Sequence, residues 1–222
     1  ICVGKSIVSD SKQKSIIFDN GVYSYVGFFK HKRNHNSVAY EIFNKEGPLA
    51  VLPCPSLNNK KSTFIYSTNE QTSYSKIQSI IEKSFSATHG NIIFDKKIDK
   101  FPVIPHIAKY NKNFIYIGDS LKSIHPVAGQ GWNLGIKDIQ TLSNLIDQFP
   151  IESKIFNSIY YSRRAIDSYV YFAFTSLVNF LYENHSSFNK RLIKVGYKGL
   201  QNFSLVRDLF IKQAMGRLNL ID

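Results

Sequence analysis

The residues of this chain best suited to chemistry lie in one stretch, FIYIGDSLKSIHPVAGQGWNLGIKDIQTL, from Phe114 to Leu142. It opens with an apolar run, Phe114–Ile117, that ends abruptly in Gly118 and Asp119. We expect this run to be a strand that delivers a loop to a helix N-terminus. The carboxylate of Asp119 would then project from the strand end, where it can accept hydrogen bonds from the hydroxyls of a polyol.

Two glycines and an amide stand at the start of the predicted helix. Gly129 and Gly131 remove side chains where backbone must approach a flat or anionic ligand. Pro126 fixes the loop that enters the helix, and Asn133 adds an amide one turn into it. A helix N-terminus presents unpaired N–H groups and about half a positive charge. The pattern therefore favours a ligand that is negative or becomes negative during reaction, the alternative being glycines that serve only the turn.

This stretch resembles the second flavin-binding motif of the FAD-dependent aromatic hydroxylases, specifically the ubiquinone-biosynthesis hydroxylases among the para-hydroxybenzoate hydroxylase-like (class A) flavoprotein monooxygenases. The residues that match are Gly118-Asp119, the run from His125 to Gly135, and Asp138. The resemblance implies that Asp119 binds the ribityl chain of FAD and that the turn ending at Asn133 lies against the pyrimidine edge of the isoalloxazine. The cofactor-binding residues predicted in this way are Asp119, Pro126, Gly129, Gln130, Gly131, Trp132 and Asn133.

Weaker matches to the same family extend over nearly the whole chain. They are Ser37–Glu41 with Gly47–Pro53, Phe101–Val103 with Ala108, and Ala214–Gly216. Their order and spacing together support the resemblance, although each segment alone would be unspecific.

Two departures from the family pattern stand out. The family usually reads Gly-Asp-Ala-Ala-His, whereas this chain continues from Asp119 as Ser120-Leu121-Lys122. We therefore expect the packing of that loop to be altered. The family also carries an Asp-Gly motif near the position of Lys5–Ser11, which the chain lacks. Nicotinamide handling is consequently a weaker expectation than flavin binding.

The pyrophosphate-binding motif of such enzymes, G-x-G-x-x-G at a strand–turn–helix, does not occur in the chain. The resemblance places it in an N-terminal segment that this sequence does not contain, and the sequence starts at Ile1 without a Met. We expect this chain to carry half of the FAD site.

The predicted fold class is α+β: a mixed β-sheet substrate domain, then the second half of a FAD-binding α/β domain, then a C-terminal helical segment. The corresponding boundaries are 1–105, 106–150 and 151–222. Within the first part, alternating apolar residues predict strands, and one helix is predicted from about Ser73 to Ser86 because Ile77, Ile81 and Phe85 share a face.

Composition narrows the choice of partners. Lys and Arg number 28 against 16 Asp and Glu, a net charge of +12, which favours anionic partners. No nucleic-acid-binding motif is present, so we expect no nucleic-acid partner. No clustered ligand set predicts a metal site. Two cysteines outside C-x-x-C spacing, Cys2 and Cys54, fit a reducing cytoplasm.

The C-terminal part is basic and amphipathic. Seven Lys or Arg and one acid lie between Lys190 and Arg217, interleaved with apolar residues such as Phe203 and Leu205. Such a segment can lie on anionic lipid, which predicts peripheral contact with the inner face of a membrane. The alternative is the solvated outer face of a packed bundle. No apolar run is long enough to span a membrane.

The function implied by the resemblance is hydroxylation of the aromatic ring of a (poly)prenylated phenol in ubiquinone biosynthesis. NAD(P)H would reduce FAD, O2 would form a flavin C4a-hydroperoxide, and its distal oxygen would pass to the ring. No catalytic residue is assigned, because the flavin supplies the oxygen chemistry. Other ubiquinone-biosynthesis proteins are expected partners. Two alternatives remain open: another flavin oxidoreductase of the superfamily, such as a halogenase, and a non-catalytic binding module in a biosynthetic complex.

Overall fold

The computed structural model describes residues 15–18, 21–44, 46–55, 59–69, 71–126, 129–153, 155–183 and 186–214. The chain divides into two compact units. We call Asn20–Val103 the β unit. Residues Ile104–Asp222, together with the described residues 15–18, form the motif unit.

The elements follow one another along the described chain as strands first and helices later. The strands are β1 Ser15–Ile17, β2 Val22–His31, β3 Tyr40–Asn44, β4 Gly47–Pro53, β5 Lys61–Thr68, β6 Ile92–Val103, β7 His106–Ala108 and β8 Lys122–Ser123. The helices are α1 Tyr74–His89, α2 Gly131–Gln148, α3 Phe156–Glu183, α4 Ser187–Asn202 and α5 Ser204–Ala214.

The β unit is an antiparallel sheet in the order β3-β4-β5-β2-β6, with α1 packed on one face. Side chains alternate along β2 and β5, so one face of each strand enters the core. The buried core residues are Tyr25, Phe29, Leu49, Val51, Phe64, Tyr66, Ile77, Ile81, Phe85 and Ile92. Gly27 is required in β2, because a Cβ there would lie 2.8 Å from the ring of Phe64.

Helix α1 confirms the predicted helix of the β unit. The side chain of Ser73 accepts a hydrogen bond from Lys76 N–H and caps the helix. Ile77, Ile81 and Phe85 are buried, as their spacing predicts. The helix continues past Ser86 to His89 and ends at Gly90, whose φ of 77° suits a glycine.

The charged residues around His31 and His35 predict that both side chains are solvated, and this prediction is wrong. Both rings are buried, together with His89 at the end of α1. The ring centroids of His31 and His89 are 4.6 Å apart, and those of His31 and His35 are 5.9 Å apart. We call these three residues the imidazole cluster. Strand β2 extends as far as His31, and its alternation turns that side chain inward despite its charged neighbours.

The motif unit combines a small antiparallel sheet, in the order β1-β7-β8, with helices α2 to α5. Its largest described core cluster joins Tyr116 and Leu121 to Leu145 of α2 and to Phe156 and Tyr160 of α3. Helix α3 ends at Glu183, and α4 begins at Ser187, where the side chain of Ser186 caps it.

The segment Phe114–Ile117 is not the strand that its apolar run predicts. It has no strand pairing within the described residues, and a 3₁₀ turn, Gly118–Ser120, follows it directly. Its backbone bonds instead to side chains of α3. Tyr160 Oη donates to the carbonyl of Tyr116 (3.0 Å), and Tyr161 Oη donates to that of Phe114 (3.0 Å). Burial raises the pKa of both phenols, so they stay protonated as donors.

Candidate functional site

Asp119 lies in the 3₁₀ turn that follows the Phe114–Ile117 segment. Gly118 starts this turn with φ +60°, a conformation that side chains other than glycine rarely adopt. Asp119 is half-buried, and no described residue donates a hydrogen bond to its carboxylate. The turn thus presents an acceptor whose lone pairs are available to a ligand.

The loop before α2 is closed by a backbone hydrogen bond from Gly129 N–H to the carbonyl of Pro126 (2.9 Å). Gly129 also has φ +60°. Gln130 forms the N-cap without a side-chain capping bond, and its Oε1 instead accepts from Asn133 Nδ2 (2.9 Å). Trp132 is 78% exposed, so its ring contributes nothing to the core of this unit.

The N-terminus of α2 is open on the side of its glycines. A Cβ added at Gly129 or Gly131 would meet no atom of the described residues within 4 Å. The first helical hydrogen bond is donated by Leu134 N–H, so the N–H groups of the three preceding residues lie ahead of the helical ladder. The first turn of α2 holds no acidic residue that would offset its positive end.

The Asp119 turn and α2 lie against each other. A Cβ on Gly135 of α2 would be 3.6 Å from the Cα of Gly118. Gly118 N–H donates to Oδ2 of Asp138, one turn further along the helix (2.9 Å). The structure therefore packs the turn that carries Asp119 against α2, the helix whose N-terminus the predicted site uses.

Asp138 belongs to a buried group of four charged side chains, Lys122, Asp138, Arg164 and Asp167, which we call the charge cluster. Oδ1 of Asp138 accepts from Lys122 Nζ (2.6 Å) and from Arg164 Nε (2.7 Å). Arg164 Nη1 donates to Oδ2 of Asp167, three residues along α3 (2.7 Å). The cluster joins the Asp119 loop, α2 and α3 through one carboxylate.

The charges in this cluster balance, with two cations facing two carboxylates. The pKa of Lys122 is lowered from 10.5 to about 8, mainly by burial and in part by Arg164, against the opposing effect of Asp138 and Asp167. The attraction of the carboxylates does not fully compensate the lost hydration of the ammonium. Lys122 is nevertheless mainly charged at pH 7, because its pKa stays above that pH.

The altered loop after Asp119 is therefore closely packed. Ser120, Leu121 and Lys122 are all buried, and the side chain that departs from the family pattern has two carboxylates nearby. The second departure, at Lys5–Ser11, lies outside the described residues, as do Cys2, Val127, Ala128, Met215 and Gly216.

Two histidines of the motif unit lie near this region of the chain. His106 in β7 is fully buried, and its Nδ1 donates to the carbonyl of Ile104 (3.1 Å). Its Nε2 has no hydrogen-bond partner among the described residues. His125 is also buried. Neither position assigns a chemical role to the ring.

Sequence reasoning did not identify Lys122 and Arg164 as partners of Asp138, or Asp167 as a partner of Arg164. The i,i+3 spacing of Arg164 and Asp167 on a helix is a readable signal for their pair. The separation of 16 residues between Lys122 and Asp138 carries no such signal, since it crosses a loop.

Solved structures place this fold in a known class of protein. The flavin-dependent brominase Bmp2 superposes with a TM-score of 0.73 at 12% identity, covering 99% of this chain and 57% of that one. The p-nitrophenol 4-monooxygenase PnpA from Pseudomonas putida DLL-E4 gives a TM-score of 0.67 at 11% identity, covering 97% and 58%. The fold is that of the flavin-dependent monooxygenases, and the predicted α+β class is confirmed.

The family follows from the sequence comparisons. The model of the squalene epoxidase family matches residues 54–203, more than half of the sequence. The chain belongs to the squalene epoxidase family.

Its relatives confirm the predicted resemblance to ubiquinone-biosynthesis hydroxylases. Ubiquinone hydroxylase UbiM of Neisseria meningitidis is 24% identical over 219 residues, covering 92% of this chain and 48% of the relative. The ubiquinone biosynthesis monooxygenase COQ6 of Dictyostelium discoideum is 29% identical over 226 residues, covering 80% and 44%. The chain thus spans about half the length of the curated relatives it matches.

Proposed function

We propose that this chain contributes the second half of a FAD site to a monooxygenase that hydroxylates a (poly)prenylated phenol in ubiquinone biosynthesis with NAD(P)H and O2. The observation that carries the proposal is the open, glycine-lined N-terminus of α2 beside the Asp119 turn. The relatives named as ubiquinone hydroxylases support the choice of substrate class.

The donors and acceptors present fit FAD. The carboxylate of Asp119 would accept hydrogen bonds from ribityl hydroxyls. The N-terminus of α2 carries partial positive charge, and Gly129 and Gly131 leave it accessible. It would stabilise negative charge on the isoalloxazine ring of FAD. Bound FAD would supply electron transfer and oxygen activation. The chain would hold and orient it.

The first experiment is a visible absorption spectrum of the protein expressed from its complete coding sequence, followed by anaerobic addition of NADH. Flavin bands that bleach with NADH and return in air are expected. A folded, colourless protein that does not take up added FAD would contradict the proposal and favour a non-catalytic binding module.

The role of Asp119 is tested by Asp119→Ala. Hydrogen bonds to a charged group contribute about 1.5–3 kcal/mol, so FAD should bind roughly ten- to a hundredfold more weakly, measured by quenching of flavin fluorescence. Asp147→Ala is the matched control, since Asp147 is an exposed carboxylate near the end of α2. Equal affinities for FAD in the two variants would remove Asp119 from the site.

We also propose that the C-terminal helices bring the enzyme to an anionic membrane surface. Helix α4 carries Phe188, Leu192 and Val195 along one stripe, and Phe188 and Val195 are 67% and 66% exposed. A packed bundle would cover such a stripe. Exposed aromatic and aliphatic side chains therefore favour an apolar partner.

The charge of the same helix selects the kind of partner. Lys190, Arg191, Lys194 and Lys198 are all exposed on this helix, and Arg191 and Lys198 fall next to the apolar stripe. No described helix is both long and apolar enough to cross a bilayer. Surface binding through basic and apolar groups together fits anionic lipid.

Co-sedimentation with vesicles tests this surface. We expect binding to phosphatidylglycerol vesicles, weaker binding to phosphatidylcholine vesicles, and loss of binding in Phe188→Ser/Val195→Ser. Ile93→Ser/Phe101→Ser removes two exposed apolar side chains of β6 and should bind like wild type. If neither vesicle type binds the full-length protein, another part of the protein covers the stripe and the membrane proposal fails.

A further inference from the structure

We infer that Lys122 is a positioning residue for the flavin site: its ammonium holds the carboxylate of Asp138 in the orientation that fixes Gly118 and hence the Asp119 turn. This inference rests on the proposed function for its link to FAD. The contact itself, between Lys122 and Asp138, is a feature of the fold and can be tested without a cofactor.

The two carboxylate oxygens of Asp138 have different partners. Oδ2 accepts from Gly118 N–H (2.9 Å), and Oδ1 accepts from Lys122 (2.6 Å) and Arg164 (2.7 Å). Asp138 is fully buried, so water does not share these contacts. The direction of Oδ2 is therefore set by the two cations that hold Oδ1.

Removal of Lys122 would disturb the charge balance around Asp138. One cation, Arg164, would face two carboxylates in a dry site, leaving an unbalanced negative charge. Nη2 of Arg164 is buried and has no hydrogen-bond partner among the described residues. Asp138 would turn toward that donor, and its Oδ2 would release Gly118 N–H.

The carboxylate of Asp138 affects the ligand site through Gly118. Gly118 is the first residue of the turn that carries Asp119, and its φ of +60° is held from one side by the bond to Asp138. A turn released from α2 would sample several positions. Asp119 would then pay an ordering cost when it binds a ribityl hydroxyl.

A charge effect can be separated from a packing effect by pH. The groups that influence Lys122 are Asp138 on α2 and Arg164 and Asp167 on α3. Because the pKa of Lys122 is about 8, the ammonium loses its charge between pH 7 and pH 9.5 while its bulk remains. A positional role that depends on charge must weaken over this range.

The test compares wild type, Lys122→Met and the exposed-lysine control Lys112→Met in the full-length protein. At pH 7 we expect FAD to bind about tenfold more weakly to Lys122→Met than to wild type and to the control. The ratio should approach one at pH 9.5. Equal affinities at pH 7, or a ratio that does not change with pH, would overturn the inference. If Lys122→Met does not fold, Lys122→Gln, which keeps a donor without charge, serves in its place.

Amide hydrogen exchange gives a second readout that needs no flavin. At pH 7 the peptide containing Gly118 should exchange faster in Lys122→Met than in wild type, while peptides of the β unit should be unchanged. If wild type binds no FAD but shows this difference, the proposed function fails and the positioning contact stands. Unchanged exchange at Gly118 in a protein that binds FAD would refute the positioning role alone.

Discussion

Two groups of ionisable side chains are buried among the described residues, and the two differ in how their charges are arranged. The charge cluster in the motif unit contains two cations and two carboxylates with contacts of 2.6 to 2.7 Å. The imidazole cluster in the β unit contains three rings of one kind, with His31 and His89 centroids 4.6 Å apart. The first can remain ionised because each charge faces an opposite one. The second faces no carboxylate within hydrogen-bonding distance in the part of the chain that the structure describes.

The consequences for protonation differ accordingly. Burial lowers the pKa of His31 and His89, and neighbouring histidines lower both further, so the rings are kept neutral. His31 Nδ1 donates to the carbonyl of Arg33 (2.6 Å), and its Nε2 can then accept from Ser62 Oγ (3.0 Å). The β unit thus depends on the absence of charge, whereas the motif unit depends on its balance.

The largest expected effect is that of breaking the charge balance with Asp138→Ala. Lys122 and Arg164 would remain buried with Asp167 as the single carboxylate, and removal of one partner from a buried ion pair destabilises by about 3–5 kcal/mol. This is a large part of the roughly 5–15 kcal/mol that stabilises a typical domain. Urea unfolding of the full-length protein measures the loss.

The exposed residue Asp147 on the same helix provides the control. Asp147→Ala should stay within about 0.5 kcal/mol of wild type, as surface substitutions usually do. Similar losses of unfolding free energy in Asp138→Ala and Asp147→Ala would mean that the charge cluster does not hold α2 in place.

The parts of the fold that sequence predicted well are those with local causes. Helix α1 could be placed from the spacing of Ile77, Ile81 and Phe85, and its end is set by Gly90. Strand β6 is represented in the sequence analysis only by the family-like segment Phe101–Val103, because it lies at the sheet edge and its exposed charged residues interrupt the alternation. A strand that is half exposed carries a weaker apolar pattern than one in the sheet centre.

The candidate site was predictable as a list of residues, since Asp119 and the Gly129–Asn133 turn lie in one readable stretch. The residues that hold this site in place could not be predicted from the sequence. Lys122 looked like a disturbance of the family pattern, and only the fold shows that its ammonium donates to Asp138, the carboxylate that also accepts from Arg164. Likewise, the apolar run at Phe114–Ile117 is read as a strand, but phenol hydroxyls from α3 satisfy its carbonyls instead. Long-range partners of this kind leave no periodic signal.

A smaller effect is expected from titrating Lys122. Its pKa is about 8 in the folded protein and 10.5 ordinarily, so the unfolded chain binds more protons between these values. The unfolding free energy of wild type should therefore rise relative to Lys122→Met by on the order of 1 kcal/mol per pH unit from pH 8 to pH 10. Chemical denaturation at several pH values measures it. If the difference in unfolding free energy between wild type and Lys122→Met does not change with pH, the fold does not lower the pKa of Lys122.

The charge of Lys122 has opposite effects on stability and on position. The ammonium lowers global stability at neutral pH, yet the same charge fixes Asp138 and the Asp119 turn. Stability should rise and FAD affinity should fall as the proton leaves. Opposite pH trends of the two quantities would indicate that the buried charge is retained for position rather than for stability.

The smallest expected effect belongs to the imidazole cluster and appears in acid. Because the folded pKa of His89 is below its ordinary value of 6.5, the unfolded chain takes up the proton first as pH falls below that value. Wild type should lose thermal stability between pH 7 and pH 5, and His89→Leu should lose less. Phe85→Leu, a nearby core substitution without a titrating group, should shift the melting temperature by the same amount at both pH values. If the melting temperature of His89→Leu falls as much between pH 7 and pH 5 as that of Phe85→Leu, His89 is not a source of the acid sensitivity. The imidazole cluster would then not depend on neutral rings, and its contrast with the charge cluster would fail.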